Sequence, residues 1–201
     1  MKKTSNANVF NLVTLAMLTA ILLLMTMTPL GTLPIGPLSI SFCMIPVAIA
    51  AIIMGPFGGM VMGGVFGVLS YLQCFGIGIL SGMGAILVEI DPFLAFVQRF
   101  VPRLLAGLLC GFIYQGVKRV FNATAACFAA GFCAALLNTV FFMLTLILFF
   151  GTTDYIMNLV NGQNIIVFIC TFVGINAVVE MVADTLIVGA IGQILVRIRR
   201  K

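Results

Sequence analysis

Long apolar runs, broken by short polar or Gly/Pro-rich stretches, set the pattern of this chain. Six runs approach or exceed the roughly 20 residues that a helix needs to cross a hydrocarbon core about 30 Å thick. They cover about residues 10–29, 38–54, 57–75, 92–117, 124–150 and 165–196. This pattern predicts an all-α membrane protein of six transmembrane helices, forming a single integral membrane domain over residues 1–201. The first run follows Lys2 and Lys3, as in a signal peptide, but it is too long for a signal core and no small-x-small cleavage pattern closes it. It is expected to stay as the first helix.

The breaks carry their own signals. The first connection, TPLGTLPIGP, holds Pro29, Pro34, Pro37, Gly31 and Gly36, which forbid a continuous helix. It reads as a plain turn or as a lid over a site. The second and third helices meet in a tight turn at Met54-Gly55-Pro56. From there Gly55, Gly59, Gly63 and Gly67 recur every fourth residue, a stripe that lets another helix backbone come close, and Gly107 and Gly111 repeat the spacing more weakly. Before the fourth helix, Asp91-Pro92 has the form of an N-cap followed by proline at the first helical position.

Charge then fixes an orientation. Lys2 and Lys3 precede the first helix, Lys118 and Arg119 follow the fourth, and Arg197, Arg199, Arg200 and Lys201 follow the sixth. With six crossings all of these fall on one side, and the connections of the other side (about 30–37, 76–91 and 151–164) contain no Lys or Arg. The positive-inside rule therefore predicts both termini in the cytoplasm of a cell whose plasma membrane holds the chain. Asn122-Ala-Thr matches a glycosylation sequon but lies on that cytoplasmic side.

Composition agrees with the membrane reading. The chain of 201 residues is 63% hydrophobic and 7% charged, with mean hydropathy +1.29. A soluble domain carries roughly 25% charged residues. The excess of basic residues sits at helix ends, so it marks topology rather than nucleic-acid binding. Histidine is absent, which removes the commonest general base and metal ligand. The cysteines at 43, 74, 110, 127, 133 and 170 form no C-x-x-C and read as small buried apolar residues. No metal or cofactor is expected. HExxH, GxSxG and GxxxxGK[ST] motifs are missing.

Two basic residues break the positional rule. Arg99 and Arg103 lie one helical turn apart inside the fourth helix. An arginine at the centre of a membrane helix costs about 2.5–3.5 kcal/mol on insertion scales, so each needs a partner. Helix five offers Asn138; helix six offers Asn176, Glu180 and Asp184 at i, i+4 and i+8. Either Arg103 pairs with Glu180 as structural glue, or an arginine faces a pocket and binds an anionic solute. Both hold if Glu180 neutralises one arginine while the other waits for ligand.

Several segments together point to a family. They are the Ala16-x-x-x-Ala20 spacing in helix one, the stretch TPLGTLPIGPLSISFCMIPVAIAAIIMGPFGGMVMGGVFGVLS, and FVPRLLAGLLCGFIYQGVKR. The chain resembles the substrate-binding S-components of energy-coupling factor (ECF) vitamin transporters, most of all the pantothenate branch. The resemblance implies a subunit with no catalysis of its own. It captures a vitamin at the outer face and works with a transmembrane coupling protein and two cytoplasmic ATPases. Ala16 and Ala20 would form the docking face. The pocket would lie in the outer halves of helices four to six, with the first two outer loops as lid. Pantothenate carries a carboxylate that an arginine fork can hold and an amide and hydroxyls suited to asparagine. The candidate binding residues are Arg103, then Asn138 and Arg99, with Asn176 and Gln73 behind them. Three alternatives stay open: another vitamin such as riboflavin or folate, an intramembrane enzyme on a lipid substrate using Glu180 and Asp184, and an assembly protein using the glycine stripe.

Overall fold

A computed structural model of the chain describes residues 2–29, 31–35, 38–160 and 165–200. Gly36 and Pro37 of the first connection, and residues 161–164 of the third, lie outside the described residues. The order of elements is α1 (Lys2–Met27), a hairpin of β1 (Thr32–Ile35) and β2 (Leu38–Ser41), α2 (Met44–Met54), α3 (Pro56–Leu72), α4 (Gly82–Ile90), α5 (Pro92–Val120), α6 (Ala123–Phe150), α7 (Asp154–Val160) and α8 (Ile165–Arg200). A single 3₁₀ turn, Gln73–Phe75, extends α3. Among the described residues five helices are long and apolar enough to cross a bilayer: 9–27, 56–75, 92–120, 123–150 and 176–198. The chain is an all-α membrane protein with one small hairpin.

The run 38–54 corrects the expectation of a continuous second helix. Its start is strand β2, which pairs antiparallel with β1 in the register Thr32↔Ser41, Leu33↔Ile40, Pro34↔Ser39 and Ile35↔Leu38. Leu38-Ser-Ile-Ser alternates with period two, the strand pattern, and Pro34 sits where a two-stranded ribbon tolerates a missing N–H. The helix that follows has 11 residues. At about 1.5 Å per residue this is roughly 16 Å, half a hydrocarbon core.

Helix α2 is nevertheless the centre of the bundle. Every residue from Met44 to Ile52 is buried. A helix that is hydrophobic all round belongs in the interior. Helix α1 is its opposite: Leu18, Leu22 and Thr26 form one buried stripe at i, i+4 and i+8, while Leu12, Val13, Met17, Ile21 and Leu24 face outward. Ala16 and Ala20 are exposed on that outward side.

The glycine stripe packs α3 on α5 at backbone contact. A Cβ at Gly59 would run into the carbonyl of Gly107, and one at Gly63 into the carbonyl of Arg103. At Gly67 it would meet the Cα of Phe100 at 2.8 Å. Reciprocally, Gly107 abuts the carbonyl of Gly59, and Gly111 lies against Pro56. Small residues bring membrane helices together because water expulsion cannot do so between lipid-soluble surfaces. Here the stripe is an internal contact, and it fixes α5 and the arginines it carries.

The cap of α5 follows its sequence signal. The Asp91 carboxylate accepts from the N–H groups of Phe93 at 2.9 Å and Leu94 at 3.0 Å, opening α5. Asn122, the sequon residue, caps α6 by accepting from the Ala125 N–H at 2.8 Å. The connection 76–91 is more ordered than a glycine-rich loop suggests. It holds α4, capped by Ser81, whose hydroxyl accepts from the Gly84 N–H, and anchored by buried Met83 and Leu87. The described cysteines at 74, 110, 127 and 133 are free thiols.

Candidate functional site

Helix α5 buries one stripe: Ala95, Gln98, Arg99, Pro102, Arg103, Ala106, Gly107, Cys110, Gly111 and Tyr114. Both arginines thus occupy core-facing positions, 6% and 5% exposed. They face a cavity of about 90 Å³ at the hairpin end of the bundle. Its walls include Ser41 at the end of β2, Ser70 and Gln73 near the end of α3, Ser81 and Met83 from α4 and its cap, Asn138 and Phe142 from α6, and Asn176 and Glu180 from α8. Arg103, Asn138, Arg99, Asn176 and Gln73, the five candidates from sequence, all line this one cavity. Asp184 does not.

The two arginines are held differently. Arg99 donates through Nη1 to the Ser70 hydroxyl at 3.3 Å and through Nη2 to the Ser81 hydroxyl at 2.8 Å. Arg103 donates through Nη1 to the backbone carbonyl of Arg99 at 2.8 Å. Its guanidinium sits over the Phe66 ring at 5.0 Å and over Phe142 at 5.4 Å. Arg99 shares the Phe142 ring, also at 5.4 Å. The ring faces give each cation a site of attraction that needs no carboxylate. The Nε of each arginine is buried without a hydrogen-bond partner.

Glu180 is spent elsewhere. Its Oε1 accepts from the Ser41 N–H at 2.6 Å, tying the end of β2 to α8. Among the described residues neither guanidinium hydrogen-bonds a carboxylate. Among the described residues no hydrogen bond therefore joins Arg103 to Glu180, although both line the same cavity. Asp184 lies one turn beyond Glu180, fully buried, with both carboxylate oxygens unpartnered, and its backbone carbonyl abuts Gly131 of α6. Of the two carboxylates, Glu180 lines the cavity and Asp184 does not.

The remaining polar groups divide in the same way. The Oδ1 of Asn138 is buried and unpartnered at the cavity wall. The Nε2 of Gln73 donates to the Thr26 carbonyl at 3.2 Å, which ties the end of α1 to the cavity rim. The Ile79 N–H donates to the same carbonyl at 3.4 Å. Gln98 is completely buried with neither amide atom bonded, and it does not line the cavity. Sequence reasoning missed Ser41, Ser70, Ser81, Thr139, Phe66 and Phe142. Ser70 was legible as a lone hydroxyl near the end of an apolar helix, and Ser81 as an N-cap ahead of Gly82. The phenylalanines were hidden among 18 of their kind.

A membrane bundle with a buried cavity lined by two arginines suits a subunit that captures a solute. The comparison with known families agrees: residues 10–192 match the model for the substrate-specific component of ECF transporters. The chain belongs to that family, and it is a multi-pass cell-membrane protein. A curated relative is the pantothenate transporter PanT of Leuconostoc mesenteroides, 30% identical over 190 residues, which cover 90% of each chain.

Proposed function

We propose that this subunit captures pantothenate, or a vitamin of the same small hydroxy-acid amide chemistry, at the outer face of the membrane. One observation carries the reading: among the described residues the buried Arg103 guanidinium hydrogen-bonds no carboxylate, and it lines a cavity whose other walls offer amide and carboxylate acceptors. The ligand's carboxylate meets the Arg103 fork, where charge-assisted bonds are shortest and strongest. Its amide and hydroxyls meet Asn138, Asn176 and the outer part of Glu180. Arg99 adds positive potential behind Arg103, and Gln73 borders the rim. The relative named as a pantothenate transporter supports the choice of vitamin.

In this reading the chain crosses the bilayer six times with both ends in the cytoplasm. The short α2 crosses together with the strand before it: the four extended residues of β2 at about 3.3 Å each add roughly 13 Å to the helix. Delivery to the cytoplasm needs a transmembrane coupling protein and two ATPases. The exposed Ala16–Ala20 face of α1 is the proposed docking surface, since small residues admit a partner helix closely.

Binding of radiolabelled pantothenate, riboflavin and folate to the purified chain tests the reading. Tight binding of pantothenate alone is expected. Tight binding of a flat-ringed vitamin instead replaces the substrate, and no tight binding of any vitamin removes the reading. Ala16→Leu and Ala20→Leu are expected to leave binding intact and abolish uptake into cells. Undiminished uptake puts the docking face elsewhere.

A further inference from the structure

The first turn of α4 touches Arg99 in a way that no binding role for α4 itself requires. The Ser81 hydroxyl stands at a junction: it accepts from the Gly84 N–H at 3.3 Å as the helix cap and from Arg99 Nη2 at 2.8 Å. Gly84 leaves the space that the guanidinium fills. A Cβ built there would lie 2.6 Å from Arg99 Nη2, 2.6 Å from the Cys74 sulfur and 2.9 Å from the Ser81 hydroxyl oxygen. Heavy atoms essentially never approach a Cβ so closely, so any side chain at 84 displaces the arginine or the helix. Ser70 completes the seat from α3.

We infer that Ser81 and Gly84 are positioning residues that hold Arg99 back against α4, so that Arg103 alone presents its fork to the ligand. Two guanidiniums share the Phe142 ring at 5.4 Å each, and like charges this close repel across a medium that screens them poorly. The serine hydroxyls draw Arg99 to the α4 side of the cavity. The same bond closes the α4 connection over the site, because α4 is capped by the group that Arg99 grips. The connection 76–91 and the anion site are therefore one unit. Displacing Arg99 loosens the lid and crowds Arg103 at once. This inference adds to the anion-site reading above, but the seat itself exists whatever the ligand is.

A ligand-free measurement separates the two. Purified full-length protein is treated with phenylglyoxal, which modifies guanidinium groups, and the extent of reaction at Arg99 is read by peptide mass spectrometry. Gly84→Ala and Ser81→Ala are expected to raise the Arg99 reaction rate at least fivefold, while Ser81→Thr, which keeps the hydroxyl, stays within twofold of the parent. Equal rates in parent and Gly84→Ala overturn the seat, whether or not pantothenate binds. A purely structural role is distinguished by the melting temperature. Alanine is the better helix former, so Gly84→Ala should not lower the melting temperature through helix propensity. Where the parent binds pantothenate, Gly84→Ala is expected to weaken it at least tenfold. Parental affinity in that variant also overturns the inference.

Discussion

The two halves of α5 show what the same buried stripe can be made to do. Toward the Gly55 turn, Ala106, Gly107, Cys110 and Gly111 let α3 close to backbone contact, leaving no room for a ligand. Toward the hairpin, the stripe continues as Arg103 and Arg99, whose side chains face a cavity of about 90 Å³ while Gly63 and Gly67 still keep α3 at backbone contact with α5. The difference is one of side-chain size and charge on a common register. The close half fixes where α5 lies, and the open half uses that fixed position to hold two cations that could not otherwise stay in a membrane. A site built on rigid packing can hold donors where an anion needs them without reorganising on binding.

The strongest break of this contrast is a large side chain in the close half. Gly107→Leu has to push α3 away from α5, with an overpacking cost of about 1–3 kcal/mol or more. The expected result is a clear fall in melting temperature in detergent together with loss of vitamin binding. An unchanged melting temperature would show that the contact gives freely.

Within the open half, Arg103→Lys keeps the charge and removes the planar fork. Affinity for pantothenate is expected to fall about tenfold to 100-fold, because a point charge cannot make two parallel bonds to a carboxylate. Equal affinity in a titration calorimeter would mean that the site reads only charge.

Glu180→Ala releases the Ser41 N–H from its 2.6 Å acceptor. Hydrogen bonds to charged groups contribute about 1.5–3 kcal/mol, so the hairpin should open more readily and the ligand dissociation rate rise about tenfold or more. A dissociation rate equal to the parent's would separate the hairpin from the site. The smallest effect is expected from Asn138→Ala, a loss of one neutral hydrogen bond of about 0.5–1.5 kcal/mol, seen as a roughly threefold to tenfold weaker dissociation constant.

Much of this was readable in the residues themselves. The helices of 92–117 and 124–150 lie within α5 and α6, because each is a long apolar run, the first opened by the Asp91 cap. The glycine period announced the α3–α5 contact. Every candidate binding residue reached the cavity wall, since polar groups in an apolar helix can go only to the interior. The failures have physical reasons too. The run 38–54 looked like one span because apolar strand and apolar helix share a composition, and only the alternation in Leu38-Ser-Ile-Ser separated them. Helix α4 was hidden by the glycines that let it approach Arg99. The choice between Glu180 and ligand as the partner of Arg103 could not be read at all. Glu180 takes a backbone N–H, that of Ser41, brought to it by the hairpin.

The central claim is that Arg103 recognises the carboxylate of the ligand. Its most direct test is calorimetric binding of pantothenate and of its uncharged alcohol analogue to the parent protein and to Arg103→Ala. The expected result is a preference for the carboxylate of about 100-fold or more in the parent, in line with about 2–5 kcal/mol for a buried charge pair, and little or no preference in the variant. A preference for the carboxylate that survives in Arg103→Ala would contradict the account.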